Sequence, residues 1–291
     1  MLGIIVLSAV FVLFGLVNAK SRDIVMQETS LQKSTDKLYT DTELKLLQFF
    51  NGEGYLSQGH DERVDFMVQN IELNNKAVLD FGCGLGGPAF HLAKKHNARV
   101  IGVDVDPSLI EKANNSTQAR GFISSVNFTT IHDNLLSFAD ATFDIIFSKE
   151  SIIHVQNKQA LFKELYRVLK PGGMIVIMDW FWKGWSPSQD FLQCWNFDSY
   201  GTAMHFATIT EYVSFLTQAG FIDVESDDSS YLYLNDMRQE LDLLYGTKGD
   251  EIRVLFDAQF LEGCIATWSS LCRMFESGEI ETRLILAKKK K

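Results

Sequence analysis

The chain has 291 residues, of which 46% are hydrophobic, and a formal net charge of -10. That apolar share suffices for one sizeable core, so the chain reads as a single domain with additions. An acidic protein is repelled by a phosphate backbone, which argues against nucleic acid and favours a small-molecule substrate.

Residues 2–17 form an apolar run with no Lys or Arg before it and with Lys20 and Arg22 after it. The run is short for a membrane span. Val17-Asn18-Ala19 resembles a signal-peptidase site, and Met26 offers a later start. Residues 1–25 are therefore set apart as signal-like, an anchor or a misplaced start, and residues 26–291 as the folded unit. The order of charges keeps that unit in the cytoplasm, held at the inner face of a membrane if the run is an anchor. Secretion is the less favoured reading, and no feature addresses the oligomeric state.

Residues 37–50 read as a helix with Leu44, Leu47 and Phe50 on one face. A loop with three glycines spans 51–59, and a second helix spans 61–71. From Ala77 the pattern alternates. Strands are expected at 77–81, 99–104, 126–130, 143–148 and 174–179, with helices at 89–95, 107–120 and 158–169. Asp106-Pro107 is a good helix start, because Asp caps free amides and Pro suits the first turn. Such alternation implies a parallel sheet with helices on both faces. Residues 180–207 are aromatic and irregular. A helix at 208–219 ends at Gly220, a strand follows at 221–226, 231–277 is mostly helical, and 279–288 gives a last strand. The lysine run 288–291 is read as a solvated end. Cys83, Cys194, Cys264 and Cys272 show no CxxC or zinc-like spacing and are read as buried and neutral.

The first strand runs into Gly82-Cys83-Gly84-Leu85-Gly86-Gly87. Glycines there allow a ligand to approach the backbone closely. Gly82, Gly84 and Gly87 also satisfy a dinucleotide fingerprint, so the loop alone leaves an NAD-dependent oxidoreductase open. Asp104 ends the second strand, where a carboxylate accepts hydrogen bonds from both ribose hydroxyls. Asp80 stands two residues before the first glycine, and Leu169-Lys170-Pro171-Gly172-Gly173 precedes the fifth strand. Together with Thr142-Phe143-Asp144-Ile145-Ile146, these pieces resemble the class I methyltransferases. The resemblance implies a Rossmann-like, seven-stranded, mostly parallel sheet with S-adenosylmethionine as cofactor and no metal. It implies a cofactor set of Ser57, Asp80, Gly82, Gly84, Gly86, Asp104, Val105, Asp133, Asn134 and Ser148, with Asp133 on the adenine amino group.

Tyr39-Thr40-Asp41, then Gly54-Tyr55-Leu56-Ser57-Gln58-Gly59, then Phe147-Ser148-Lys149-Glu150-Ser151-Ile152-Ile153-His154 are similar to the phosphoethanolamine N-methyltransferases and related small-amine methyltransferases. That resemblance covers about half of the chain. It implies N-methylation of a small amine, with Tyr39 and His154 as a catalytic pair and Glu150 near the reacting nitrogen. Trp180, Thr202 and Met204 stand where that family holds a phosphate, so phosphoethanolamine-like and glycine-derived acceptors both remain open. Trp180, Trp182 and Trp185 are candidates for binding alkylated ammonium through their ring faces. The expected division is a core over about 72–180, with lid segments and C-terminal strands over 181–291. Two alternatives stand beside this reading: a C- or O-methyltransferase acting on a lipid-like acceptor, and a protein that binds S-adenosylmethionine without catalysis.

Overall fold

The computed structural model describes residues 39, 41–132, 135–184, 186–194, 204–255 and 258–291. Residues 1–25, Asp133, Asn134, Trp185 and Thr202 lie outside the described residues. Among the described residues no helix is long and apolar enough to cross a membrane.

Two helices, α1 (Asp41–Asn51) and α2 (His60–Val68), precede the alternating part. That part runs β1 (Ala77–Phe81), α3 (Gly87–His96), β2 (Arg99–Asp104), α4 (Pro107–Arg120), β3 (Val126–Thr130), β4 (Phe143–Lys149), a short 3-10 turn (Ile152–His154), α5 (Lys158–Val168) and β5 (Leu169–Trp182). The chain continues with α6 (Gln189–Cys194), α7 (Ile209–Ala219), β6 (Phe221–Asp228), α8 (Ser230–Tyr245), α9 (Thr247–Leu255), α10 (Ala258–Ser277) and β7 (Ile280–Lys289). The expected helix start at Asp106-Pro107 and helix end at Gly220 are built as anticipated. Asp106 accepts from Ser108 N at 2.7 Å with Pro107 in the first turn, and Gly220 closes α7 in the left-handed conformation.

The seven strands form one sheet in the order β3-β2-β1-β4-β5-β7-β6. All neighbours are parallel except at β7, which is antiparallel to both β5 and β6. Period-two alternation sends side chains to two cores. Val78, Ile145, Phe147, Val176 and Met178 join one, while Leu79, Phe81, Ile146, Ile175 and Ile177 join the other. The first core also takes α1, α2, α8 and α10; the second takes α5 and α7. Asp80 follows the parity of Val78 and so faces the side covered by the N-terminal and C-terminal helices.

The fifth strand is longer than the sequence suggests. Its start bends through Pro171-Gly172 while Leu169 already pairs with Phe143, and its end carries Trp180–Trp182 alongside residues 280–282 of β7. The aromatic stretch after 179 is thus strand for three residues, because bulky rings suit a pleated surface. Lys289 is not a solvated end: its Nζ donates to the carbonyls of Tyr166 and Leu169 at 2.7 and 2.8 Å. The four cysteines are buried and free. Burial pushes the Cys194 and Cys264 thiols up to about 12.

Candidate active site

A cleft opens at the C-terminal ends of β1, β2 and β4, where open α/β sheets present ligands. Its floor is the turn after β1. Gly82 has φ +75°, and a Cβ there would sit 1.6 Å from Ser151 Oγ. Gly86 has φ +85°, and a Cβ there would sit 2.3 Å from the Phe128 ring. Both positions therefore exclude a side chain, for conformational and steric reasons alike. The turn is tied to β2 through Gly82 N and Cys83 N, which donate to Val103 O at 2.8 and 3.0 Å.

Two carboxylates flank this turn. Asp104 accepts from Gly84 N at 2.9 Å and from Asp106 N at 3.0 Å. Burial pushes its carboxyl up to about 6, against the lowering effect of those amides. Asp80 is 1% exposed, and its Oδ2 has no hydrogen-bond partner. Burial, and next the charge of Asp104, push Asp80 up to about 7, while Lys149 works the other way. A buried carboxylate oxygen without a partner is costly unless a ligand supplies one, and the complementary ligand is a cation or a donor.

The opposite wall comes from the end of β4. Glu150 is a non-glycine residue at φ +53°, a strained conformation that turns its side chain inward. Lys149 donates to Glu150 Oε1 at 2.9 Å and to Ser57 Oγ at 2.5 Å. Tyr233 OH also donates to Glu150 Oε1, and Trp180 Nε1 donates to Oε2 at 3.2 Å. Arg63 lies over the Tyr233 ring at 4.3 Å and pairs with Asp236 at 2.5 Å. Gln58 donates to Glu240 at 2.8 Å, and Trp268 Nε1 donates to the same carboxylate. The loop before α2, the end of β4 and helices α8 and α10 are thereby joined by buried and half-buried polar contacts on one side of the cleft.

His154 closes the short turn after β4. Its Nδ1 is buried without a partner although the residue itself is partly exposed along the cleft. Burial, then the charges of Lys158 and His205, pull its imidazole down to about 3, so the ring is neutral near pH 7. Lys158, 4% exposed, holds this turn by donating to the carbonyls of Ile153, Val155 and His205 at 3.3, 2.8 and 2.6 Å. Tyr39, 6% exposed, lines the same cleft.

The structure thus brings Tyr39, Ser57, Asp80, Gly82, Gly84, Asp104, Glu150 and His154 around one cleft. Gly86 lies just behind the turn, against Phe128. Ser148 is fully buried and donates to Phe81 O at 3.0 Å, clamping β4 to β1. Val105 packs toward the other core. Trp180 stands behind Glu150, edge-on to Tyr233 and Phe275, and half-buried Trp182 packs on Phe191 at 5.5 Å. Sequence reasoning missed Lys149, Lys158 and Tyr233. Lys149 carried a signal, a cation ending an apolar strand; Lys158, at the start of α5, and Tyr233 carried none, the latter because it reaches Glu150 across 83 residues.

The family profile described as "Methyltransferase domain" matches residues 79–177. Phosphoethanolamine N-methyltransferase 3 of Arabidopsis thaliana is 33% identical over 239 residues, covering 82% of this chain and 47% of the relative. The chain therefore spans about half the length of the first curated relatives it matches. Phosphoethanolamine N-methyltransferase 2 of Haemonchus contortus, solved with phosphomonomethylethanolamine and S-adenosylhomocysteine, superposes with a TM-score of 0.78 at 21% identity, covering 87% of this chain and 59% of that one. A protein of Galdieria sulphuraria assigned as a sarcosine dimethylglycine methyltransferase superposes with a TM-score of 0.72 at 16% identity, covering 86% and 98%. At those identities the two structures speak to the fold.

Proposed function

We propose that this chain, whose residues 79–177 match a methyltransferase domain, is a class I methyltransferase that moves a methyl group from S-adenosylmethionine to the nitrogen of a small amine. One observation carries the reading: the neutral imidazole of His154 lines the same cleft as Asp80, whose buried carboxylate has an unpartnered oxygen. The first group suits the acceptor, the second a cationic cofactor.

S-adenosylmethionine supplies an electrophilic methyl on a sulfonium. The chain's part is to bind, orient and take a proton. Asp104 would receive the ribose hydroxyls beside the amides it already holds, and Asp80 Oδ2 would receive a donor of the amino-acid portion. Gly82 and Gly84 leave the backbone bare for that approach, Gly86 would act by letting the turn close against Phe128, and Ser57 is set by Lys149. Val105 and Ser148 would act at the strand ends, and Asp133 and Asn134 at the adenine. On the acceptor side, an ammonium must lose its proton before its lone pair can attack. His154 Nδ1 or its partner nitrogen would take that proton. The burial that keeps the ring neutral also weakens it as a base. Tyr39 would support His154 or close the cleft over the ligands. Trp180 would act through Glu150, and Trp182 and Trp185 as lid walls. Holding nitrogen and methyl in line contributes on the order of 7–11 kcal/mol through proximity.

In this reading residues 72–180 form the core, and the helical segments beyond them cover it. The domain works in the cytoplasm, where the cofactor is made; a reporter fused after Lys291 that is active only outside the cytoplasm would overturn that placement. The function itself is tested by incubating the full chain with methyl-labelled S-adenosylmethionine and a panel of amines: ethanolamine, phosphoethanolamine, glycine, sarcosine and dimethylglycine. Labelled N-methyl product from one of them is expected. Transfer only to carbon or oxygen of an apolar acceptor, or cofactor binding without turnover on any amine, would replace the reading.

A further inference from the structure

Away from the cleft, the facing sides of α2 and α3 bring Asp65, His91 and His96 together. His91 Nε2 is 2.8 Å and His96 Nε2 is 3.1 Å from one and the same oxygen, Asp65 Oδ1. The two rings are 5.9 Å apart and inclined at 73°, and the three donor atoms lie within 4.8 Å of one another. The other nitrogen of His91, Nδ1, is 3.0 Å from Asp61 Oδ2. Asp61 is itself held by Tyr55 OH, whose ring lines the cleft.

The proton count at this cluster is unusual. A neutral imidazole carries one N–H, and His91 meets a carboxylate oxygen at each nitrogen. If Nδ1–H serves Asp61, then Nε2 turns a lone pair toward Asp65 Oδ1, and two lone pairs meet at 2.8 Å. Only a positive charge at that point makes the arrangement favourable, either an added proton or a metal ion. The donor set of two imidazoles and one carboxylate suits zinc. The Asp61–His91 contact is the carboxylate–histidine arrangement that fixes the tautomer of a metal-bound ring.

We propose that Asp65 Oδ1, His91 Nε2 and His96 Nε2 form a zinc site that clamps α2 to α3, with Asp61 orienting His91. Tetrahedral zinc with bonds near 2.0–2.1 Å holds its ligand atoms about 3.3 Å apart, so the two contacts to Asp65 Oδ1, at 2.8 and 3.1 Å, open by at most about half an ångström, and the imidazole nitrogens, within 4.8 Å of each other, settle to the same spacing. Lys95 lies 2.7 Å from Asp65 Oδ2, the oxygen the metal does not use. Its side chain is 55% exposed and free to swing out, so it competes with the metal without blocking it. Spacing in sequence gives no warning of the site, since its ligands come from two helices, 26 and 31 residues apart.

The test uses the full chain, stripped with a chelator, then titrated with zinc by calorimetry and with cobalt(II) by visible spectroscopy. One equivalent of zinc should bind with micromolar or tighter affinity, and cobalt should give the intense bands of a tetrahedral ion. His96→Ala and Asp65→Asn should each weaken zinc more than tenfold, Asp61→Asn about tenfold, and Lys95→Ala should tighten it several-fold. His96→Gln, at a partly exposed helix end, replaces any variant whose circular dichroism shows loss of fold. No saturable binding, or binding unchanged in the His96 variants, would show a cluster of ion pairs around a protonated His91 and overturn the proposal. The readout is metal affinity, so it stands apart from the methyl-transfer reading.

Discussion

The two halves of the cleft are built by different means. The half proposed for the cofactor, from β1 and β2, is made of backbone: a turn whose glycines exclude side chains, and amides that hold Asp104. The half proposed for the acceptor is made of side chains that meet from distant segments, with Glu150 held by Lys149, Tyr233 and Trp180. Local backbone geometry fixes the first and tertiary packing the second. The cofactor half should therefore be sensitive in binding affinity and indifferent to the acceptor, and the acceptor half the reverse.

The largest test of that division is His154→Ala. Turnover should fall ~10²–10⁴-fold, the usual size of general-base catalysis, with cofactor affinity unchanged in calorimetry. Because burial holds the ring down to about 3, wild-type activity should not halve near pH 6.5 as a solvent-exposed histidine would dictate. Full turnover in the variant would return His154 to a packing role.

Next comes Asp80→Asn, which should separate stability from binding. In the unfolded chain this carboxyl ionises near 3.8; in the fold it does so near 7. Between those values the folded state keeps a proton that the unfolded state has lost, so stability falls as pH rises and the cost is complete above pH 7. Removing the charge should stabilise the cofactor-free protein by about 2–4 kcal/mol at pH 8 and by nothing near pH 4. Thermal melts across that range check the slope, while cofactor affinity should drop. Asp104→Ala should weaken cofactor binding by ~1.5–3 kcal/mol, the worth of hydrogen bonds to a charged group, and leave the acceptor KM alone.

Tyr233→Phe tests the other half. Removing its hydroxyl from Glu150 should cost about 1.5 kcal/mol and raise the acceptor KM with the cofactor affinity intact. A change in cofactor affinity instead would erase the division. Smallest of all is Asp41→Asn. Its pair with Lys112 at 3.0 Å is exposed on both sides, so the unfolding free energy from denaturant titration should change by less than about 0.5 kcal/mol.

The same division explains what was legible beforehand. Strands β1, β2 and β3 have the bounds read from sequence, because parallel-sheet strands and their glycine and Asp-Pro punctuation are local signals. Asp80, Asp104 and the glycines could be placed because each stands at a strand end. Tyr39, Ser57, Glu150 and His154 reached the cleft through a resemblance, not through periodicity. Trp180 was legible as an aromatic at a strand end, but not as a donor behind Glu150, since that depends on where α8 and α10 pack. Tyr233, Arg63 and Asp236 lie on helices whose sequences look like ordinary amphipathic surface. The pairing of His91 and His96 with Asp65 was hidden for the same reason.

The place of β7 sets an order on synthesis. β6 leaves the ribosome before β7 and is separated from it by three helices, yet in the sheet it bonds only to β7. While α8, α9 and α10 are being made, β6 has no partner and the edge of β5 stands open. β6 tolerates the wait, because Phe221–Asp228 carries acidic residues and is largely exposed even in the finished sheet. β5 does not, since residues 175–181 are wholly apolar but for Asp179 and are buried once β7 arrives. A nascent chain stopped between 229 and 279 therefore presents an apolar strand edge to its neighbours, the circumstance in which chains stick to one another or are held by chaperones.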